Sequence, residues 1–88
     1  MVENPHPHDD VAWRRLEDEV VLVHLKTNRI YTLNRTAARF WELLCEGRDR
    51  ESLERGLLEE FEVGPDELRS EIDSLIEELS REGLLAGG

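Results

Sequence analysis

Two of the three histidines of this 88-residue chain, His6 and His8, lie two residues apart and next to Asp9 and Asp10. Imidazole and carboxylate groups are common metal ligands, so this cluster is the first candidate for chemistry. A metal site, however, needs three or four ligands that a fold holds in place, and the segment has two prolines and no hydrophobic periodicity. We therefore expect residues 1–10 to be a flexible polar segment and the protein to bind no metal.

The rest of the sequence lacks the residue combinations of nucleophilic catalysis. His24 is its only histidine, so neither Cys45 nor any serine has an activating base. The glycines stand singly and form no phosphate-binding loop. We expect His24 to be half exposed on a strand and Cys45 to be a buried, inert thiol. The sequence thus predicts no catalytic residue, no enzyme activity and no cofactor.

The formal net charge of −10 is concentrated in the second half of the chain. Residues 1–41 carry six acidic and six basic side chains, whereas residues 42–88 carry fifteen acidic side chains and five arginines. Proteins bind nucleic-acid phosphates with clustered Lys and Arg, and an acidic field repels them. The charge distribution therefore argues against a nucleic-acid partner.

Three absences predict a cytoplasmic protein that binds no membrane. No apolar run reaches the roughly 20 residues that span a bilayer, and the N-terminal residues lack the basic and then apolar pattern of a signal peptide. A single cysteine cannot form an internal disulfide, which suits a reducing compartment.

Alternating and apolar patterns predict three strands near the start of the chain, at Val11–Leu16, Val20–Leu25 and Arg29–Leu33. The second is rich in valine and nearly continuously apolar, as expected of a central strand. Lys26–Asn28 then makes a hairpin connection in which Asn28 adopts positive φ at little cost. Because strands adjacent in sequence usually pair antiparallel, a three-stranded antiparallel sheet follows.

Helical periodicity predicts three helices after the strands. Asn34 and Asp49 are placed to cap the first two, and Pro65 is placed as the first residue of the third. The predicted fold is α+β and winged helix-turn-helix-like, with the three strands first and the three helices after them. Its domain covers residues 11–85, and residues 86–88 form a short tail.

The third predicted strand is expected to have a free edge, because the central strand lies on one side of it only. Between Arg29 and Asn34 the sequence has no proline, glycine or charge that would block this edge. Such an edge can accept another chain as an added strand, with main-chain bonds for affinity and side-chain pockets for specificity. The sequence leaves open the alternative that the third helix or a loop covers the edge.

Two segments, VVLVHLKTNRIYTLNRTAARFWELLCEG and LLEEFEVGPDELRSEIDSLIEELSREGLL, resemble the PqqD family of recognition elements for ribosomally synthesised, post-translationally modified peptides. The specific cues are YTLN at the end of a strand, TAARFWELL in the first helix, GPDEL at the start of the third, and the closing D-x-L-I-x-x-L-x-x-x-G-L-L. The resemblance covers Val11 to Leu85.

The resemblance implies non-catalytic binding of the leader segment of a precursor peptide, so that partner enzymes can modify its core. In the family the leader pairs with the third strand and lies in the groove against the third helix. Carried onto this sequence, the contacts fall on residues of the third strand and of the third helix: Arg29, Ile30, Tyr31, Thr32, Leu33, Arg69, Asp73, Ile76 and Glu77.

The chain resembles the stand-alone members of the family, which favours a lasso peptide pathway with a separate leader peptidase and cyclase as partners. The third helix carries seven acids, so Asp73 and Glu77 are expected to favour leaders with Lys or Arg. The alternative function that the topology permits is that of a winged-helix DNA-binding regulator. Such a regulator should carry Lys and Arg on its recognition helix, whereas all three helices here are poor in them.

Overall fold

The structure of the protein, a computed structural model, describes residues 6–86. These residues form five strands and three helices in the following order: β1 (His6–Pro7), β2 (Val11–Leu16), β3 (Glu19–His24), β4 (Arg29–Leu33), α1 (Arg35–Cys45), α2 (Arg50–Glu60), α3 (Pro65–Arg81) and β5 (Leu85–Ala86).

The strands β2, β3 and β4 form an antiparallel sheet in which β3 is central. In its register Val20 lies opposite Leu33, and Leu22 lies opposite Tyr31. Val20 and Leu22 are fully buried, since they face the helices, whereas Ile30 on the other face of the sheet is 68% exposed. The strand order and the central position of the valine-rich strand, both predicted from the sequence, are confirmed.

The turn and the helix starts follow local side-chain chemistry. Asn28 has a φ of 60° in the hairpin between β3 and β4. The side chain of Asn34 caps α1 by accepting a hydrogen bond of 3.0 Å from the Ala37 N–H. That of Asp49 caps α2 by accepting one of 2.8 Å from the Ser52 N–H. The predicted turn conformation and both predicted caps are confirmed.

The core lies between the inner face of the sheet and the three helices, and α1 is at its centre. Phe40, Trp41 and Leu43 on α1 are fully buried, with Leu57 from α2 and Leu68 from α3 packed in the same cluster. The indole N–H of Trp41 has no hydrogen-bond partner among the described residues. Trp41 therefore stabilises the domain through its packing, at the cost of one buried donor.

The two ends of the described chain pair with each other, a feature that differs from the expectation of a flexible segment over residues 1–10 and a tail over 86–88. In this small sheet β1 and β5 are antiparallel, and the His8 N–H donates to the Leu84 carbonyl at 3.0 Å. Leu84 and Leu85 are buried in the core, so they anchor β5 and give β1 a fixed partner. Residues 1–5 and 87–88 lie outside the described residues.

His24 is buried, with 7% of its surface exposed, and the expectation of a half-exposed residue is wrong. Its side chain lies on the same face of β3 as Val20 and Leu22. Its ring centroid lies 5.7 Å from that of His8, and its Nδ1 accepts a hydrogen bond of 3.3 Å from the Lys26 N–H. Burial here follows from the strand alternation, which places every second residue of β3 against the helices.

Cys45, at the end of α1, is exposed, so the expectation of a buried thiol is also wrong. The surrounding atoms nevertheless desolvate the sulfur, and with the nearby Glu42 carboxylate they raise the pKa of the Cys45 thiol to about 11. The thiolate is the reactive form of cysteine. At neutral pH the side chain is therefore protonated and a poor nucleophile.

Candidate functional site

Two hydrogen bonds establish which way the backbone of β3 faces. The Leu25 N–H donates to the Asp10 carbonyl at 2.8 Å on the β2 side, and the Asn28 N–H donates to the His24 carbonyl at 2.8 Å on the β4 side. In an antiparallel ladder these groups alternate between the two neighbouring strands, residue by residue. Every second residue of β3, counted back from His24, therefore bonds to β4.

The register carries this alternation onto β4. The residues opposite the bonding positions of β3 are Arg29, Tyr31 and Leu33, so their N–H and C=O groups point into the sheet. The N–H and C=O groups of Ile30 and Thr32 point away from β3, and β4 has no second neighbouring strand within residues 6–86. The free edge expected from the sequence is therefore present, and it consists of four main-chain groups on two residues.

A groove with a volume of about 450 Å³ runs beside this edge, between β4 and the C-terminal half of α3. This volume lies within the range of about 300 to 1,000 Å³ typical of ligand-binding clefts. The helical wall combines apolar side chains with two acidic ones and with Arg81, which forms a salt bridge of 3.0 Å to Glu77. The main wall residues are Tyr31, Leu33, Leu75, Glu78, Leu79 and Glu82.

The five predicted strand residues all lie at or beside the groove. Tyr31, Thr32 and Leu33 line it directly. Arg29 lies at the end of the groove next to Glu82, and the side chain of Ile30 extends from the opposite face of the sheet. The groove therefore borders the free main-chain groups of Ile30 and Thr32 and the side chains of Tyr31 and Leu33.

The four helix residues predicted from the resemblance do not line this groove. Arg69 and Asp73 form salt bridges of 3.1 and 2.8 Å to side chains of α2, and Glu77 forms one of 3.0 Å within α3. Ile76 lines a small apolar cavity between the three helices. The contact of these four residues with a peptide stays a prediction of the resemblance.

The sequence did not assign eight of the lining residues to the groove: Asn34, Ala37, Leu75, Glu78, Leu79, Arg81, Glu82 and Leu84. Leu75 and Leu79 belong to the apolar stripe of α3. Leu79 is buried, whereas Leu75 is only partly covered. The periodicity of α3 identified them as apolar, but it carried no signal for which partner each one faces.

Among the described residues there is neither a group of metal-ligating side chains nor a membrane-crossing helix. Between residues 6 and 86, no three His, Cys, Asp or Glu side chains come together in a way that could hold a metal ion. Of the helices in the same range, none has the length and hydropathy needed to cross a bilayer. What the groove offers is hydrogen bonding along a free strand edge, apolar contact and negative charge.

The chain matches one protein family model and resembles solved structures that contain a leader peptide. The family model for "Coenzyme PQQ synthesis protein D (PqqD)" matches residues 19–85. The solved structure of TbiB1 in complex with the TbiA(beta) leader peptide shares the fold with a TM-score of 0.90 and 29% sequence identity, over 94% of this chain and 96% of that one.

A second solved structure, a lasso peptide synthetase B1 complexed with the leader peptide, has a TM-score of 0.86 and 20% identity, over 96% of this chain and 99% of that one. At 20% identity this second structure is evidence for the fold of the chain but not for its function. No curated protein sequence matches the chain. The predicted fold, three antiparallel strands followed by three helices, is confirmed by both structures.

Proposed function

The chain belongs to the PqqD family, and from this premise we propose that it is a non-catalytic recognition protein for the leader segment of a ribosomally synthesised precursor peptide. The leader adds to β4 as a further strand and lies in the groove against α3. Holding the leader there presents the core peptide to the enzymes that modify it.

One observation carries this proposal: the four unpaired main-chain groups of Ile30 and Thr32 stand beside a groove of about 450 Å³. An extended peptide satisfies such groups whatever its side chains are, and its alternate side chains then enter the groove. The structure of TbiB1, to which this chain is 29% identical, contains a leader peptide, which supports the same use of the fold here.

The strand edge alone gives weak binding. Four main-chain hydrogen bonds of about 1 kcal/mol net each contribute about 4 kcal/mol, which corresponds to a dissociation constant of about 1 mM. Tight binding therefore needs side-chain anchors as well. Tyr31, Leu33, Leu75 and Leu79 supply the apolar surface for them, and Glu78 supplies a charge.

The partner enzymes that we infer are those of a lasso peptide pathway, a leader peptidase and a cyclase. A protein that holds the leader raises the effective concentration of the core peptide at an enzyme that binds the same complex. This mechanism requires no catalytic group from the recognition protein. It accords with the residues of the groove, which offer hydrogen bonds, apolar contact and charge.

The proposal is tested by selecting binders from a random library of mRNA-displayed peptides and measuring amide hydrogen exchange of the protein with and without a selected peptide. A bound strand should slow exchange at Ile30 and Thr32, whose amides are free in the structure. The Tyr31 amide, which already bonds to β3, should exchange slowly in both states.

Peptides that bind without slowing exchange at Ile30 and Thr32 would overturn the proposal, because they would occupy another surface. Random duplex DNA at low salt serves as a second probe in the same assay. No DNA binding is expected of a domain with this charge, whereas a winged-helix regulator would bind it.

A further inference from the structure

A second cavity, with a volume of about 320 Å³, lies at the end of the sheet where β4 passes into α1. Three arginines line it in a protein whose formal net charge is −10. Two acids and one aromatic ring complete the wall. The lining residues are Arg15, Asp18, Arg35, Arg39, Glu60 and Phe61.

Two of the three arginines are already paired with carboxylates. Arg15 donates two hydrogen bonds, of 2.7 and 2.6 Å, to Glu42. Arg39 donates to both carboxylate oxygens of Glu60 at 2.9 Å. The hydrogen bond from Arg15, together with the nearby Arg39, lowers the pKa of Glu42. These two cations are therefore compensated within the protein.

Arg35 differs from both. No carboxylate among residues 6–86 lies within ion-pair distance of it, and its guanidinium instead stacks 5.3 Å from the centroid of the Phe61 ring. This cation–π contact restrains the guanidinium, and none of its N–H groups donates a hydrogen bond within residues 6–86. The edge of a guanidinium held in this way matches the two oxygens of a carboxylate.

The position of Arg35 in the chain also points to an external anion. It is the first residue of α1, at the positive end of the helix, and the first turn of α1 holds no acidic residue. A cation is disfavoured there unless a negative charge comes close. The preceding residue, Asn34, lines the groove beside β4. Arg35 therefore stands where a strand paired with β4 would leave the groove.

We propose that this protein selects leader peptides that carry an Asp or Glu where the leader leaves β4 beside Asn34, and that Arg35 binds this carboxylate through two parallel hydrogen bonds. Phe61 is a positioning residue that orients the guanidinium. The inference rests on the proposed function, because it requires a peptide strand on β4. It assigns the two ends of the bound leader opposite charge preferences, since Glu78, which is unpaired among residues 6–86, lines the groove itself.

The test repeats the random-peptide selection against the wild-type protein, Arg35→Gln and the control Arg55→Gln. Arg55 is exposed on α2 and pairs only with Glu51 of the same helix, so its change removes one charge away from the groove. Selected peptides that slow exchange at Ile30 and Thr32 are aligned on their paired segment. Asp or Glu should be enriched at one fixed distance beyond that segment for the wild type and the control, but not for Arg35→Gln.

The affinity of one selected peptide gives the second readout. Replacing its acidic residue by the matching amide should weaken binding to the wild type roughly tenfold and leave binding to Arg35→Gln unchanged. Arg35→Lys keeps the charge but not the planar fork, and it should recover only part of the preference.

The outcomes distinguish a failure of the Arg35 proposal from a failure of the proposed function. Equal enrichment of acidic residues with the wild type and with Arg35→Gln, or none with the wild type, would overturn the role of Arg35 while the proposed function stands. A selection that yields no peptide protecting Ile30 and Thr32 would overturn both.

Discussion

The Tyr31 hydroxyl donates a hydrogen bond of 3.0 Å to the Glu82 carboxylate, and this bond ties the middle of β4 to the residue that follows α3. Arg29 approaches the same carboxylate at 3.6 Å. Glu82, which lines one end of the groove, is thus held by both Tyr31 and Arg29. Glu78, one turn earlier on the same wall, has no ion-pair partner among residues 6–86 and is exposed.

Neutralising Glu78 should weaken the binding of leaders that carry Lys or Arg, whereas neutralising Asp73 should not. Asp73 forms a salt bridge of 2.8 Å to Arg50 and lies outside the groove lining. An ion pair between Glu78 and a Lys or Arg of the leader would be exposed to solvent. We therefore expect Glu78→Gln to lower the affinity by roughly twofold to fivefold at low salt, and by less at high salt.

The measurement is a titration of one selected basic peptide into Glu78→Gln and Asp73→Asn, each of which removes one negative charge from α3. A larger effect for Asp73→Asn would mean that the peptide contacts the helix face predicted from the resemblance and not the face that lines the groove.

Thr32→Pro should abolish leader binding and leave the fold intact. The Thr32 N–H points away from β3, so proline removes a donor that the sheet does not use and that an added strand does. Tyr31→Pro is the matched control, because it removes a donor that bonds to β3 and should therefore destabilise the domain. Circular dichroism gives the stability and peptide titration the affinity, and a Thr32→Pro protein that still binds would contradict the expected strand addition.

Trp41→Ala should lower the free energy of unfolding by about 3 to 5 kcal/mol, because the side chain is fully buried and leaves a large cavity. Total stabilities of proteins are about 5 to 15 kcal/mol, and a domain of this size lies at the low end, so this variant should be largely unfolded at moderate temperature. Trp41→Phe, which keeps an aromatic ring and removes the unpaired indole N–H, should cost less. Thermal unfolding followed by circular dichroism tests both, and a stable Trp41→Ala protein would contradict the central position of α1.

Cys45, the only cysteine, should react slowly with iodoacetamide at neutral pH although it is exposed. Its pKa is raised to about 11, so the rate should increase about tenfold per pH unit between pH 7 and pH 10. The raised pKa means that folding disfavours the thiolate, and stability should fall as the pH rises above the ordinary pKa of the thiol. A rate that levels off by about pH 10, as for a free thiol with a pKa of about 8.5, would show that the thiol is not desolvated.

Most of the fold could be predicted from local patterns, because β2, β3, β4 and the three helices each show a hydrophobic period, and Asn34, Asp49 and Pro65 mark where the helices begin. The groove wall on α3 could not. Leu75 and Ile76 are neighbours in one apolar stripe, yet Leu75 lines the groove and Ile76 faces the other two helices. A helix that packs on two sides has an apolar pattern that merges both contacts, and only the tertiary arrangement separates them.

The pairing of β1 with β5 was missed for a different reason. Two residues are too few to show alternation, so neither strand has a pattern of its own. The burial of His24, by contrast, could have been predicted. It continues the series of Val20 and Leu22 on one face of β3, and a polar residue in that series was assigned to the surface by its type instead of its position.

The spacing of the free main-chain groups on β4 also affects the register in which a peptide strand can pair with it. A guest chain displaced by two positions would meet the same two donors and two acceptors at Ile30 and Thr32, because the pattern repeats every second residue. The backbone alone cannot tell these alignments apart, so the side chains in the groove must decide between them. Substitutions there should consequently let a bound strand slip by two residues before they abolish its binding altogether.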